Sequence, residues 1–321
     1  MAGSRVLVTV PQFGQWSDAR ERLAAGGCEV VPCANAPSLK ESDLVAALRG
    51  CRAIIAGGER ITRPIIERCP DLKVIARFGV GVDKVDVAAA TERGIPVAIA
   101  TNEETVADLA FALLLAAARR LVEADAFTRS GQWGPFHGAD VWRRTIGVVG
   151  TGRIGSAVMR RARAFELRIL CHDVRPNPDL SRSLGAEYVP LDRLLAESDY
   201  VTLHCPATAE TRGLIGRREL GLVKRSAFLI NTARAGIVDE AALADALREK
   251  RIAGYAVDVY DPAPPPRDWP LFAFPNVIAT PWMASWTPDN LGRMEVACAE
   301  NVLRVLSGRP PLAAVNVPAA P

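Results

Sequence analysis

Thr145–Asn177 reads TIGVVGTGRIGSAVMRRARAFELRILCHDVRPN, and this run decides the fold. Ile146–Val149 is short, apolar and β-branched, which predicts a buried strand. Gly150-Thr151-Gly152-Arg153-Ile154-Gly155 follows at once. Ile154–Phe165 reads as a helix and Arg168–Cys171 as the next strand. Asp173 closes the run, 23 residues after Gly150. In such a strand–turn–helix unit Gly150 makes the tight turn, Gly152 lets a pyrophosphate approach the backbone, and Gly155 lets helix pack on strand. The helix N-terminus, at Arg153-Ile154, offers unpaired N–H groups and the positive end of its dipole to the phosphates. The glycine spacing is a weak signal alone and a strong one in this setting. Asp173 is placed to accept hydrogen bonds from a ribose 2′-OH and to repel a 2′-phosphate, so NAD is favoured. Arg175, two residues on, is the kind of group that tolerates NADP.

Outward from this unit the chain alternates strand and helix. Before it, Arg5–Val10, Ala53–Gly57, Lys73–Arg77 and Pro96–Ile99 read as strands. Ser17–Ala25, Ser42–Arg49, Thr62–Cys69 and Asp86–Arg93 read as helices. Ser17, Ser42, Thr62 and Asp86 are candidate N-caps, and Gly26, Gly50 and Gly94 candidate stops. Asn102–Arg120 predicts a long helix buried on several sides. After it come strands at Asp199–Leu203, Phe228–Asn231, Gly254–Val259 and Val277–Ala279, and helices at Leu191–Glu197, Asp239–Glu249 and Pro288–Leu306. The prolines between Pro262 and Pro275 predict an irregular loop. The expected fold class is α/β: a flavodoxin-like substrate domain (residues 1–100 with 288–321) and a doubly wound, Rossmann-like NAD-binding domain (101–287), with a cleft between them.

The bulk numbers agree with two ordinary domains. The chain has 321 residues, 49% hydrophobic and 23% charged, with a net charge of +3. No dense basic run is present, so neither nucleic acid nor a membrane surface is implied as a partner. The N-terminus has no signal-peptide layout, and the most apolar stretch, Val106–Ala118, is too short to span a bilayer. The seven cysteines show neither CxxC nor zinc spacing and read as small buried residues, which fits a cytoplasmic, reducing compartment. No metal is expected.

Leu229-Ile230-Asn231-Thr232-Ala233-Arg234-Ala235-Gly236 puts an arginine just past the carboxyl end of a strand, the edge where open α/β sheets bind ligands. A permanently charged fork there suits a carboxylate and its neighbouring carbonyl. The alternative is a structural ion pair with Asp239 or Asp258.

At this point the chain resembles the D-isomer-specific 2-hydroxyacid dehydrogenases. The resemblance is carried by Arg77-Phe78-Gly79-Val80-Gly81-Val82-Asp83, Glu104-Thr105-Val106-Ala107-Asp108, the glycine motif and Leu203-His204-Cys205-Pro206. It continues through Thr211-Arg212-Gly213-Leu214-Ile215-Gly216, the Arg234 motif, Gly254–Tyr260 and Pro275–Pro281. It implies hydride transfer between nicotinamide and the C2 of a 2-hydroxy or 2-keto acid. The backbone at Val80-Gly81 would receive the substrate carboxylate, and Arg234 its carboxylate and carbonyl oxygen. Arg153-Ile154 would meet the pyrophosphate and Asp173 the adenosine ribose. Cys205, Pro206, Thr211, Thr232, Ala233, Asp258 and Ser285 would complete the cofactor site, and a homodimer is expected.

The sequence then departs from the family pattern. The family's general acid/base is a histidine after Thr-Pro; here the run is Thr280-Pro281-Trp282. The glutamate that orients it would stand at Ala263. A buried glutamate without its histidine would be costly to keep charged, so loss of the pair as a unit is physically coherent. Trp282 donates through its indole N–H but does not titrate usefully, and losing a general acid/base costs about 10²–10⁴-fold in rate. Three histidines exist. His204 reads as structural, His172 lies near the adenine end, and His137 sits in an aromatic loop, either as a substitute proton donor or as an exposed loop residue. Tyr260 and Arg60 are further candidates for substrate contact. Three functions stay open: an NAD-dependent oxidoreductase with a rebuilt site, a catalytically silent NAD(H)-binding sensor or interaction protein, and a reductase for a substrate other than a keto acid, such as an imine that carries its own proton.

Overall fold

The structure is a computed structural model that describes residues 3–33, 39–101 and 103–316. The chain forms two compact units, residues 1–102 with 286–321, and residues 103–285. Asn102, the expected first residue of the long helix, lies outside the described residues.

Unit 1 is built on a parallel sheet of β1 (Ser4–Val8), β2 (Cys28–Pro32), β3 (Cys51–Ala56), β4 (Val74–Arg77) and β5 (Val97–Ile99). Its strand order is β2-β1-β3-β4-β5. Helices α1 (Ala19–Ala25), α2 (Glu41–Leu48), α3 (Arg63–Arg68) and α4 (Val87–Glu92) connect the strands. Central β3 and β4 are apolar and buried on both faces, as a parallel sheet covered by helices requires. Strand β2 was not anticipated; it is an edge strand, buried at Cys28 alone, so its sequence lacks a continuous apolar run. The cap at Asp86 is real, its side chain accepting from Ala89 N–H. The caps expected at Ser17 and Ser42 are not. Ser42 lies inside α2, and the N-cap position of α1 belongs to Asp18, although the Ser17 hydroxyl accepts Ala19 N–H at 3.3 Å while it donates to Glu295 at 2.7 Å. Glu295 is 1% exposed and also accepts the N–H groups of Gly14 and Trp16. It sits on the long C-terminal helix Pro288–Leu306, which packs on α1, β3, β4 and β5 of the same unit.

Unit 2 begins with α5 (Glu103–Ala118) and α6 (Leu121–Arg129), the latter not anticipated. Then come β6 (Thr145–Val149), α7 (Arg153–Ala164), β7 (Arg168–His172), α8 (Pro178–Leu184), β8 (Glu187–Tyr188) and α9 (Leu191–Glu197). They are followed by β9 (Tyr200–Leu203), α10 (Arg217–Leu222), β10 (Phe228–Asn231), α11 (Glu240–Arg248), β11 (Gly254–Val257) and β12 (Val277–Ala279); the C-terminal helix of unit 1 is α12. The seven strands are all parallel, in the order β12-β11-β10-β9-β6-β7-β8, so the order reverses between β6 and β9. One face of the sheet, with Val148, Ile230 and Ala256, packs under α5 and α7; the other carries Val149, Leu203, Leu229 and Val257. The proline-rich segment is mostly irregular but contains a 3₁₀ turn at Pro270–Ala273.

No helix among the described residues is long and apolar enough to cross a membrane. All seven cysteines are free thiols, five of them buried.

Candidate active site

Each unit presents one set of functional groups at the carboxyl ends of its strands. In unit 1, Arg77 ends β4 and is 8% exposed. Its guanidinium donates to the carbonyls of Gly81 at 3.1 Å, of Ala56 at 3.3 Å and of Gly57. One buried cation thus ties the Gly79–Gly81 loop to the end of β3. Gly79 has φ +133°, a conformation an L side chain rarely adopts. Among the described residues neither the Val80 nor the Gly81 N–H meets a backbone or side-chain acceptor, so this loop suits an anion. Arg60 is exposed at the end of the neighbouring loop. Beside it Glu59, 4% exposed, accepts from Thr9 Oγ1 at 2.6 Å.

In unit 2 the glycine turn has the geometry its spacing predicts. Gly150 has φ +93°, and a Cβ there would lie 2.6 Å from the Cys205 nitrogen. A Cβ on Gly155 would lie 2.0 Å from the Gly150 oxygen, whereas one on Gly152 would meet nothing within 4 Å. The first N–H of α7 to find a helical acceptor is that of Ser156, on Gly152 at 2.9 Å. The N–H groups around Arg153 and Ile154 therefore face outward at the positive end of a 12-residue helix. Asp173 stands at the end of β7. Its Oδ2 accepts Thr151 N–H at 2.6 Å and its Oδ1 accepts Arg175 N–H at 2.8 Å. Burial alone would raise its pKa, but these donors and the Thr151 hydroxyl outweigh it and hold the carboxyl below the ordinary aspartate range. Pro206 and Thr211 belong to one tight loop, with Thr211 Oγ1 donating to the Pro206 carbonyl at 2.6 Å.

Arg234 follows β10 and is half-buried. Asn231, fully buried and passed over by sequence reasoning, holds its loop. Asn231 Nδ2 donates to the Arg234 carbonyl at 2.9 Å and Oδ1 accepts Ala233 N–H at 3.0 Å. Both carboxylates considered as partners for Arg234 have other duties. Asp239 caps α11 through Ala242 N–H at 3.0 Å. Asp258 is fully buried and accepts from Thr280 Oγ1 at 2.7 Å, Met283 N–H at 2.8 Å and Ala284 N–H at 2.9 Å. Asp258 therefore grips the loop that carries Trp282. Burial pushes its carboxyl pKa up, against the pull of those donors.

Trp282 has φ +56° and is 40% exposed. Ala263 is exposed, and Ser285 ends the unit. Tyr260 was expected at the substrate. Its ring is instead 7% exposed and packs edge-on against Trp269, 5.4 Å between centroids, while its hydroxyl donates to the Thr280 carbonyl at 2.8 Å. Its place is under the loop.

The residues on either side of the exposed His137 tie its loop to α5, α6 and the start of β9. Phe136 packs on Phe127 of α6, and Ala139 N–H donates to Ala118, the last residue of α5. Tyr200, the first residue of β9, donates its hydroxyl to Asp140. The His137 loop is thus anchored at the amino edge of the sheet, whereas Arg234 and Trp282 lie past the carboxyl edge, about 10 Å of strand away or more.

His204 follows β9. Thr202 Oγ1 lies 2.8 Å from its Nε2, and burial pushes its pKa down to about 3, so the ring is neutral. Its Nδ1 is buried without a partner, and so is Oγ1 of Thr232. The open space over Gly152, the free helix N-terminus, the acceptor at Asp173 and these two orphaned polar atoms fit a dinucleotide lying along this edge. Cys205 beside them is an ordinary thiol, pushed up to about 11 by burial. No cluster of three or more metal-ligating side chains occurs among the described residues.

Comparison with known proteins agrees with this geometry. The family model for the D-isomer specific 2-hydroxyacid dehydrogenase, NAD binding domain, matches residues 111–284. A glyoxylate reductase of Korarchaeum cryptofilum is 44% identical over 285 residues, covering 85% of each chain. The crystal structure of a glyoxylate reductase from Paecilomyes thermophila superposes with a TM-score of 0.86 at 28% identity, covering 98% of this chain and 99% of the other. An acyclic imino acid reductase in complex with NADPH and D-Arg superposes with a TM-score of 0.84 at 26% identity, covering 97% of this chain and all of the other. With its nicotinamide-nucleotide unit, its Arg234 motif and this near full-length similarity, the chain belongs to the D-isomer-specific 2-hydroxyacid dehydrogenase family.

Proposed function

We propose that the protein is an NAD-dependent reductase of a 2-keto acid with a bulky or aromatic side chain, working without a protein general acid. The observation that carries this reading is the contrast at the carboxyl edge of unit 2. The Arg234 loop is kept and held by Asn231, while the position after Thr280-Pro281 carries a side chain that does not titrate. When bound, the nicotinamide supplies the hydride. The residues do the rest. Arg234 binds and polarises the carboxylate and carbonyl, and Trp282 and Met283, each about 40% exposed, offer an apolar surface. The proton comes from water. Asp173 selects NAD over NADP, since its carboxylate sits at the end of β7 where a 2′-phosphate would approach. The exposed apolar residues Leu121 and Val122 of α6 and Trp133 of the loop after it support a homodimer, and free thiols support a reducing, cytoplasmic setting.

A second reading has its own support. An imine substrate already carries the proton that Trp282 cannot give, and one similar structure is that of an imino acid reductase. Oxidation of NADH and NADPH by a panel of 2-keto acids, with and without amines, separates the readings, using wild type and Trp282→His/Ala263→Glu. Turnover of a bulky keto acid by wild type, not improved in the double variant, supports the first reading. Turnover only with amine supports the second. An inert wild type whose double variant is active would make the protein a dinucleotide-binding module that has lost the chemistry.

A further inference from the structure

The sheet of unit 1 has its own reversal of strand order, between β1 and β3. In an open α/β sheet the crevice outside the carboxyl ends of two such strands is where ligands bind. Thr9 follows β1, and Gly57-Gly58-Glu59 follows β3, so these residues line that crevice.

Their hydrogen bonds leave two acceptors over. Thr9 N–H donates to the Ile55 carbonyl at 3.0 Å. The Thr9 hydroxyl accepts Gly57 N–H at 2.9 Å and donates to Glu59 Oε1 at 2.6 Å. Glu59 is 4% exposed, and its Oε2 is buried without a partner. The Thr9 carbonyl belongs to a residue with no exposed surface and accepts no hydrogen bond among the described residues. Both oxygens lie about one point. A Cβ built on Gly57 would stand 3.5 Å from the Thr9 oxygen, 3.6 Å from Glu59 Oε2 and 3.7 Å from Val10 Cγ2. One further heavy atom therefore fits there in ordinary contact, beside two acceptors and a methyl group. Gly57 and Val10 are half-buried, and a Cβ on the exposed Gly58 would meet nothing within 4 Å, so the point lies near open space.

The donors needed decide what fits. Two acceptors on one small space call for a single atom that carries at least two hydrogens. A hydroxyl has one. A planar amide has two, but brings a carbonyl oxygen that also needs room and a donor. The nitrogen of a primary ammonium has three N–H groups, and its charge answers a carboxylate oxygen that is otherwise desolvated for nothing. The nearby Arg77 guanidinium donates to the Gly57 carbonyl and makes no hydrogen bond to Glu59 Oε2.

We infer that unit 1 binds a small primary ammonium group over Gly57, held by Glu59 Oε2 and the Thr9 carbonyl, while the Thr9 hydroxyl fixes the carboxylate. Free ammonium and the head group of a small primary amine present the same chemistry. As a place to capture the amine of an imine-forming reaction, the site rests on the second reading above; as a binding site it stands without it.

The test titrates the nitrogen-15-labelled full chain, free of nucleotide, at constant ionic strength. The probes are ammonium chloride, methylamine hydrochloride and tetramethylammonium chloride, which has the charge but no N–H. The inference expects saturable shifts of the Gly57 and Gly58 amide signals with methylamine or ammonium, and none with tetramethylammonium. Saturation by ammonium alone assigns the site to the free ion, and saturation by both assigns it to an amine head group. Gly57→Ala fills the point with a methyl that clashes with nothing, so its melting temperature should match wild type while binding falls at least tenfold. Glu59→Gln, which keeps the shape and removes the charge, should weaken binding about tenfold. Equal shifts with methylamine and tetramethylammonium, or a Gly57→Ala protein that binds like wild type, overturn the inference. Amine-dependent oxidation of NADH or NADPH without saturable binding here brings down this inference alone. Binding here without any amine-dependent turnover upholds it and brings down the imine reading.

Discussion

The carboxylate of Asp258 accepts the backbone N–H of Ala284 at 2.9 Å, and so reaches past Trp282 to the far side of its loop. Its other oxygen takes Thr280 Oγ1 and Met283 N–H. Trp282 is therefore framed on both sides by one buried anion, and presents no histidine-like chemistry but a fixed apolar surface.

Asp258→Ala strands three donors in a buried site. We expect a loss of about 3 kcal/mol or more in urea unfolding, and about half that for Asp258→Asn, which keeps one acceptor oxygen. A change below about 0.5 kcal/mol for the alanine variant would show that the loop holds without it.

Trp282 sits at φ +56°, where β-branched residues are strongly disfavoured and asparagine is tolerated. Trp282→Asn should therefore be more stable than Trp282→Val by about 1 kcal/mol, the reverse of the order that apolar burial predicts. Chemical denaturation of the two variants decides it.

Two motif glycines should separate fold from function. Gly155→Ala drives a methyl into the Gly150 carbonyl, so both stability and NADH binding should fall, stability by about 2 kcal/mol. Gly152→Ala meets open space at an ordinary φ of −64°, so its melting temperature should stay at wild type while its methyl obstructs the phosphate. NADH affinity beside thermal unfolding reads both, and a Gly152→Ala protein that binds NADH normally would move the phosphate elsewhere.

The depressed pKa of His204 makes stability depend on pH. The unfolded histidine titrates near pH 6.5 and the folded one at about 3, so between these values the unfolded state binds more protons. Stability is complete above pH 6.5 and falls as pH drops toward 3, by at most about 1.4 kcal/mol per pH unit from this group. Unfolding free energies at pH 7, 6 and 5 should show the slope, and His204→Asn should flatten it. Parallel slopes in both proteins would assign it to the carboxylates.

Much of the second α/β series and the C-terminal helix of unit 1 was legible in the chain. Phe228–Asn231, Val277–Ala279, Leu191–Glu197 and Pro288–Leu306 end where their patterns predict. The buried parallel strands are continuous apolar runs, and α12 opens on Pro288 with Thr287 capping it. The short elements were less legible. Strand β2 is an edge with one buried residue, and α10 is a six-residue helix. Helix α8 did carry a signal that was passed over: Asn177 caps it, Pro178 begins it and Gly185 ends it in a left-handed turn.

The sequence by itself determined the glycine turn, the acid at the end of the next strand, the arginine after β10 and the missing His–Glu pair, because each is written in neighbouring residues with local backbone requirements. Only the tertiary structure decided what the remaining polar residues do. Asp258 and Tyr260 brace the Trp282 loop, Asn231 holds the Arg234 loop, and His137 lies at the wrong edge of the sheet. Only the register between β9 and β10 brings His204 and Thr232 into one row with their polar atoms unpaired. Partners of this kind come from distant segments, and no local pattern reveals which buried hydrogen-bonding group another segment will satisfy.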